Sequence, residues 1–148
     1  MVEVPRYILD ASVAAKWHLR DEDHSEKALQ LLQDYREDKV DLLAPDHIRY
    51  EVASSIRTAV LTKRLTVEKG RASLAEFFSW RIPTVRGDSL IMFAYQQAFK
   101  LNCSFYDGLY LALARSTNAP LVYADARLRR NLGNRFPLAL WIEDYQPV

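Results

Sequence analysis

The chain has 148 residues, of which 49% are hydrophobic and 26% charged, and its net charge is +1 at neutral pH. This length favours one globular domain with its own core, so we expect a single domain over residues 1–148. With a net charge this close to zero, the chain is not one of the strongly basic domains that often bind nucleic acid, so any such binding needs a local basic patch. The single cysteine, Cys103, cannot form an intramolecular disulfide, which is typical of a reducing compartment.

The sequence carries no signal for export or membrane insertion. Residues 1–6 lack the basic-then-apolar pattern of a signal peptide. No run of about 18 apolar residues occurs, as a membrane-spanning helix would require. These features predict a cytoplasmic protein without a membrane segment.

Short apolar runs alternate with longer amphipathic segments along the chain. Predicted strands cover residues 7–9, 42–44, 121–124 and 138–142, and Pro83 restricts an ambiguous segment at 81–85 to a sheet edge. Predicted helices cover residues 12–19, 25–36, 47–62, 66–78, 88–100, 104–116 and 127–132. Asp46 is the expected cap of the helix at 47–62. Strands that alternate with helices predict an α/β fold with a parallel sheet between helices.

Four acidic residues stand beside these apolar segments. Asp10 and Asp125 each follow a predicted strand, Asp107 begins the most apolar helix, and Glu51 flanks the apolar face of another. Ligands of parallel sheets bind outside the carboxyl ends of the strands, so Asp10 and Asp125 are predicted to share one site. Carboxylates are rarely buried unless they are paired or bind a metal. If the four converge, their oxygen atoms suit Mg²⁺ or Mn²⁺ rather than zinc.

Three of these acids also have structural explanations. Asp10 can be a turn or cap residue, although Ser12 fits the helix cap better. Asp107 follows Ser104 at the spacing of a capping box. Asp125 can cap the helix that comes after it. The pattern at each position is therefore compatible with both structure and function.

Glu51 has the strongest structural explanation of the four. It lies about 60° outside the edge of the apolar face that Ile48 marks. There it could be a solvated residue with Arg49 or Arg57 as its partner. A functional role for Glu51 depends on the presence of the other three acids.

The four acids occur in four motifs in a fixed order. An apolar strand followed by Asp-x-Ser covers residues 8–12, and a Pro-led helix with an acid covers residues 45–52. An Asp that heads an Ala/Leu-rich helix lies in residues 106–112, and a strand that ends in Asp before a basic helix covers residues 121–128. This arrangement resembles the PIN-domain ribonucleases, and most closely the VapC-type toxins of prokaryotic toxin–antitoxin pairs. One departure is Tyr123, where the family often has Thr.

The resemblance implies a three-layer α/β/α sandwich with a central parallel sheet. It implies a Mg²⁺- or Mn²⁺-dependent endoribonuclease that hydrolyses RNA phosphodiester bonds, forms a homodimer and is inhibited by a small antitoxin protein. Its catalytic and metal-binding residues would be Asp10, Glu51, Asp107 and Asp125. Ser12 would orient Asp10 or a bound water.

Basic residues near the fourth motif predict contacts with RNA phosphates. Arg127, Arg129 and Arg130 directly follow its acid, although a solvated helix face would have the same composition. A second basic cluster at residues 63–71 has the same alternative.

Other polar and aromatic groups are not needed for this site. Three histidines show no metal-ligand spacing and are expected to be ordinary surface or core residues: His18, His24 and His47. The cluster of Phe77, Phe78 and Trp80 is either core or, because aromatic side chains favour interface centres, a dimer or antitoxin surface.

Two functions of other classes stay open. One is a phosphoryl-transfer enzyme with an Asp nucleophile at a strand end. It is weakened by Ser12, where a haloacid-dehalogenase phosphatase would carry a second Asp. The other is a non-catalytic RNA-binding or scaffold PIN domain, and such domains usually lose one or more of the four acids.

Overall fold

The computed structural model describes residues 3–148, so Met1 and Val2, part of the segment that lacks a signal-peptide pattern, lie outside it. Five parallel strands form one sheet in the order β3-β2-β1-β4-β5. Their bounds are β1 Arg6–Leu9, β2 Asp41–Pro45, β3 Thr84–Val85, β4 Leu121–Tyr123 and β5 Ala139–Trp141. Strand β1 is central, and Ile8 is paired with Leu43 on one side and Leu121 on the other. The short β3 lies at an edge, as Pro83 indicates.

Helices flank this sheet, which confirms the predicted α/β architecture. Their bounds are α1 Ala11–Lys16, α2 Ser25–Arg36, α3 Ile48–Leu61, α4 Val67–Ser79, α5 Asp88–Leu101, α6 Phe105–Thr117 and α7 Ala126–Leu132. A 3₁₀ turn, Ile142–Asp144, follows β5. None of the helices in residues 3–148 has the length and apolar character needed to cross a bilayer.

Helix α6 is the most buried helix. Every residue from Gly108 to Ala114 is buried, because α6 packs against β1 and β2 on one side and against α5 on another. Its N-terminus therefore lies close to the ends of the central strands. Asp107, in the first turn of α6, is brought to that edge of the sheet.

Two predicted helix caps are wrong. Helix α1 begins directly after Asp10, whose carboxylate accepts a hydrogen bond from the Ser12 backbone N–H at 3.1 Å. Since the chain passes from strand to helix without a spacer, the cap falls on Asp10 and not on Ser12. Helix α3 begins after His47 without a side-chain cap. The Asp46 carboxylate instead accepts a hydrogen bond from Thr84 Oγ1 at 3.0 Å, which connects β2 to β3.

The aromatic cluster at the end of α4 belongs mainly to the core. Phe77 is buried, and the Trp80 ring lies edge-on to the buried Trp17 ring with centroids 5.4 Å apart. Phe78 alone remains 42% exposed, and the Arg49 guanidinium lies over its ring. The core explanation therefore applies to two of the three residues.

The order of the strands places a crevice at the centre of the sheet. From β1 the chain proceeds outward through β2 to β3, and then returns to add β4 and β5 on the opposite side. Open α/β sheets bind ligands at the carboxyl ends of the strands where this reversal occurs. In this fold that position lies between β1 and β4, where Asp10 and Asp125 follow their strands.

Candidate active site

Asp10 lies at the centre of the site. It is only 6% exposed, and its Oδ2 accepts hydrogen bonds from the backbone N–H and the hydroxyl of Ser12. Burial raises its pKa to about 7, the Ser12 hydrogen bonds oppose that rise, and the charges of Glu51 and Asp107 add to it. An ionised Asp10 is therefore energetically costly at neutral pH without a compensating positive charge.

Ser12 connects the ends of two central strands. Its hydroxyl donates to Asp10 and accepts a hydrogen bond from the Ala124 backbone N–H at 2.9 Å. Ala124 directly follows β4 and precedes Asp125. The contact orients the Asp10 carboxylate relative to β4, while a catalytic role for Ser12 stays a prediction.

Glu51 is directed inward from the first turn of α3. Its Oε1 accepts a hydrogen bond from the Tyr110 hydroxyl at 2.8 Å and lies 3.5 Å from His47 Nε2. The explanation of Glu51 as a solvated partner of Arg49 is wrong, because Arg49 lies beside Asp46 at 3.8 Å. Burial raises the pKa of Glu51, the Tyr110 hydrogen bond lowers it, and the charge of Asp107 raises it further.

Asp107 and Asp125 both have the capping geometry that their sequence patterns indicate. The backbone N–H of Asp107 donates to Ser104 Oγ at 3.0 Å. Asp125 Oδ1 accepts hydrogen bonds from the backbone N–H groups of Arg127 at 2.9 Å and Leu128 at 3.2 Å. The first contact uses the backbone of Asp107, and the second uses only Oδ1 of Asp125, so the structural role does not exclude a functional one.

The four acids are coupled through their charges. Burial is the main cause of the raised pKa of Asp107, and the nearby charge of Asp125 raises it further. The charge of Asp107 in turn raises the pKa values of Glu51 and Asp10. Since such effects require proximity, the structure brings all four predicted acids to one edge of the sheet.

The chemistry of these donors fits a hard divalent cation. The predicted ligands are carboxylate oxygens, and Asp10 Oδ1 accepts no hydrogen bond from any residue that the structure describes. Within residues 3–148, no three His, Cys, Asp or Glu side chains are placed so that they could hold an ion as they stand. Mutual repulsion keeps uncompensated carboxylates apart, and a cation would relieve that repulsion.

The predicted phosphate-binding arginines differ in their surroundings. Arg127 lies close enough to Asp107 to lower the pKa of that carboxyl group. Arg129 lies over the Trp141 ring, 4.4 Å from its centroid. Arg130 is exposed on α7. Only Arg127 of the three is directly coupled to the carboxylates.

The second basic cluster is partly neutralised. Arg64 forms ion pairs with Asp21 at 2.7 Å and Glu22 at 3.1 Å. Arg64 is thus engaged in connecting the end of α3 to the loop after α1. Its charge is therefore partly offset by these two carboxylates, and contact of this cluster with RNA stays a prediction.

Tyr123 packs its ring between the last two strands. Burial is the main cause of its raised pKa, and the charges of Asp10 and Asp125 still reach its hydroxyl and raise that pKa further. Its ring is buried and lies edge-on to Trp141, with centroids 5.4 Å apart. The departure from the family pattern therefore contributes to packing between β4 and β5. The Ser12 hydroxyl, which is bonded to Ala124, provides the local link to Asp10.

Two residues of the site were not identified from the sequence. Tyr110 is three residues after Asp107 on α6, and His47 is four residues before Glu51. Both spacings place the two side chains of each pair on the same side of a helix. Tyr110 lies in an apolar segment and therefore resembles a core residue in the sequence. His47 has no second histidine at ligand spacing, so its pattern gives no sign of a site.

Comparison with known proteins identifies the family. The PIN domain family matches residues 7–132. Ribonuclease VapC1 of Mycobacterium tuberculosis is 34% identical over 85 residues, which make up 57% of this chain and 63% of that relative. Ribonuclease VapC9 of the same species is 33% identical over 122 residues, covering 82% of this chain and 87% of the relative.

Solved structures share the fold at low sequence identity. PAE2754 from Pyrobaculum aerophilum has a TM-score of 0.67 and 19% identity, with coverage of 95% of this chain and 93% of that chain. VapBC2 from Rickettsia felis, bound to a DNA fragment from their promoter, has a TM-score of 0.60 and 18% identity, covering 92% and 96%. The chain belongs to the PIN-domain family. Within that family it is similar to ribonucleases of the VapC type.

Proposed function

We propose that the chain is a metal-dependent endoribonuclease and the toxin of a toxin–antitoxin pair. The observation that carries this proposal is the coupling of four carboxylates at the central crevice of a PIN fold. The kinship with VapC ribonucleases supports RNA as the substrate. The presence of all four acids favours an enzyme over the non-catalytic scaffold alternative.

The carboxylates of Asp10, Asp107 and Asp125 would hold Mg²⁺ or Mn²⁺, with Glu51 completing the set. When bound, such an ion would lower the pKa of a water molecule and offset negative charge on the phosphate. Burial favours binding of a cation by Asp10, because the protein alone supplies no positive charge that would compensate its ionised form.

The remaining residues of the site would position these groups. Ser12 holds one oxygen of Asp10, and the other accepts no hydrogen bond from residues 3–148. Tyr110 restricts Glu51 through its hydroxyl. Arg127, close to Asp107, would contact a substrate phosphate, and Arg129 and Arg130 would extend the positive surface along α7.

RNA cleavage by an Asp10→Asn variant tests the proposal. We expect at least about a hundredfold loss of cleavage of a fluorescent single-stranded RNA, because a charge required for cation binding is removed. Asn retains the helix cap, so the fold should persist. Asp23→Asn, at an exposed position of the loop before α2, is the matched control. Full cleavage by Asp10→Asn at saturating Mg²⁺, or undiminished wild-type cleavage in EDTA, would exclude this assignment.

The homodimer would form through the exposed face of α5. Ile91, Met92, Tyr95 and Phe99 are between 49% and 73% exposed and follow one another along the helix. The charged residues of α5 stand only at its ends, so two copies can pair across this face without repulsion in its centre. We therefore place the proposed dimer interface on α5 and not at the end of α4, where Phe77 and Trp80 belong to the core.

An antitoxin protein would be the second partner, and the compartment would be the cytoplasm, where cellular RNA is accessible. A small gene adjacent to that of this chain is the expected source of the antitoxin. Co-expression should yield a complex in which RNA cleavage is suppressed. A purified complex with full ribonuclease activity would argue against inhibition by that partner.

A further inference from the structure

Three aromatic side chains form an exposed surface directly beside the carboxylates. The rings of His47 and Tyr106 are stacked, with centroids 4.4 Å apart and planes inclined by 11°. Tyr50 lies next to them, with its centroid 6.2 Å from that of His47. We call these three residues the aromatic shelf. It is formed where the first turns of α3 and α6 meet.

The aromatic shelf is accessible to a ligand. Tyr50 is 67% exposed and Tyr106 is 54% exposed, whereas most other aromatic residues of comparable size near the crevice are buried. A groove of about 340 Å³ runs along the shelf. Its walls combine the shelf with apolar side chains, the Arg86 cation and the Asp46 carboxylate. The Asp46 carboxylate is already engaged by Thr84 and Arg49, so the groove can take a flat, largely apolar group with a negative charge on the Arg86 side.

The shelf is continuous with the proposed catalytic site at two points. His47 Nε2 lies 3.5 Å from Glu51 Oε1, and Tyr106 immediately precedes Asp107. A group bound on the shelf is therefore adjacent to a phosphate held at the carboxylates. In a polynucleotide, a phosphate links two riboses that each carry a base, so a base is the flat group nearest to that phosphate.

We propose that the aromatic shelf binds an unpaired nucleobase of single-stranded RNA beside the phosphodiester that is cut. The base stacks on the exposed rings, and Arg86 contacts the phosphate on the far side of that base. Bases in a duplex are stacked on each other, so their faces are not available to the shelf. The inference rests on the proposed function and adds the side chains that would contact a base next to the cut: His47, Tyr50 and Tyr106.

Binding of two matched oligomers tests the shelf. One is a fluorescent mixed-sequence single-stranded RNA, and the other is an abasic ribose-phosphate oligomer of equal length and charge. With the full chain in EDTA, Tyr106→Ala should weaken binding of the RNA by about tenfold to hundredfold, the effect of losing one stacked base. Binding of the abasic oligomer should remain unchanged, because only backbone contacts hold it.

Two variants serve as controls for this measurement. Tyr106→Trp retains a stacking surface and should restore RNA binding. Phe78→Ala removes an exposed aromatic ring from α4, outside both the shelf and the proposed dimer face, and should leave the affinity for RNA unchanged. Equal losses for both oligomers, or unchanged binding in Tyr106→Ala and Tyr50→Ala, would overturn the inference.

RNA cleavage and RNA binding together distinguish failure of the shelf proposal from failure of the ribonuclease proposal. If the wild-type chain cuts RNA but shelf variants bind it normally, the shelf proposal fails and the ribonuclease stands. If the wild type neither cuts nor binds RNA, both fail. Sedimentation velocity tests whether a second copy of the chain covers the shelf instead of RNA. If Tyr50→Ala and Tyr106→Ala convert a dimer to monomers while RNA binding persists, the shelf is an interface between copies.

Discussion

At the scale of single residues, Asp10 combines a structural and a chemical role. Its carboxylate caps α1 through Oδ2, while Oδ1 accepts no hydrogen bond within the part of the chain that the structure describes. The hydrogen bonds from Ser12 satisfy only part of the carboxylate, and burial leaves its pKa near 7. A side chain chosen only to cap a helix would be more stable in an exposed position, so the burial of Asp10 points to a function.

The pH dependence of stability should show the cost of ionised Asp10. Its pKa of about 7 in the folded chain exceeds the unfolded value of about 3.8, so the folded state binds the proton more tightly. This contribution is complete below about pH 4 and is lost as the pH rises towards 7. The loss is at most about 4 kcal/mol. Asp10→Asn should therefore be more stable than wild type at pH 8 in EDTA, and similar to it near pH 4.

Urea unfolding of both proteins at the two pH values measures this difference. Asn can still cap α1, so loss of the cap does not confuse the comparison. The exposed Asp23→Asn variant should show no such pH-dependent gain. An equal difference between wild type and Asp10→Asn at both pH values would contradict the raised pKa.

Tyr110→Phe should impair the site without disturbing the core. The substitution removes the hydrogen bond that lowers the pKa of Glu51, so that pKa should rise. If cleavage needs ionised Glu51, the acid limb of the pH–rate profile moves to higher pH and cleavage at neutral pH falls by about tenfold. Tyr35→Phe removes a hydroxyl that is bonded to the Trp80 carbonyl, away from the crevice, and is the control. An unshifted profile would show that Tyr110 only packs.

At the scale of elements, the close approach of α5 and α6 positions Asp107. The site requires the N-terminus of α6 to reach the ends of β1 and β4, and Gly108 allows that approach. A Cβ atom at Gly108 would lie 2.6 Å from the Ala94 carbonyl oxygen of α5. Because a helix backbone cannot yield as a side chain can, the two helices would have to separate.

Gly108→Ala should therefore destabilise the fold by about 1–3 kcal/mol. The matched variant is Gly70→Ala on α4, where the new Cβ would lie 3.1 Å from side-chain methyl groups of Ile56 and Val60. Small adjustments of these methyl groups, together with the higher helix propensity of Ala, should leave its stability nearly unchanged. Urea unfolding measures the free energy of unfolding of the two variants. Equal stability of both would contradict the tight packing of α5 on α6.

At the scale of the whole molecule, the structured part extends beyond the family match. The match ends at residue 132, but β5 pairs with β4, and Tyr145 is completely buried. The Tyr145 hydroxyl donates to the buried carboxylate of Asp34 on α2. The C-terminal segment is thus part of the core, where it packs against β4, Tyr7 of β1 and Asp34 of α2.

Dimer formation should depend on α5 and not on the end of α4. Phe99→Glu places a charge on the most exposed residue of the α5 face and should weaken the dimer by about thirtyfold or more. Phe78→Glu, at the exposed position of the α4 cluster, should leave the dimer intact. Sedimentation velocity over a range of concentrations distinguishes the two. If Phe78→Glu abolished the dimer and Phe99→Glu did not, the dimer interface would lie at the end of α4 and not on α5.

Much of the architecture was predictable because it depends on local patterns. Alternating apolar runs and amphipathic helices predicted a parallel sheet, and the order of the motifs around Asp10, Glu51, Asp107 and Asp125 predicted a shared site. Helix caps were less predictable. The chain can leave a strand at more than one residue, so the choice of Asp10 over Ser12 as cap depended on the end of β1.

By itself the sequence determined the fold class, the family and the four carboxylates, because residue type and spacing carry that information. Only the tertiary structure decided which neighbours each carboxylate has. It directed Glu51 inward to Tyr110, placed Ser12 between Asp10 and β4, and assembled the aromatic shelf from α3 and α6. These contacts join residues that are 59 or more positions apart or that belong to different helices. Their geometry arises from the packing of helices on the sheet, which no local pattern records.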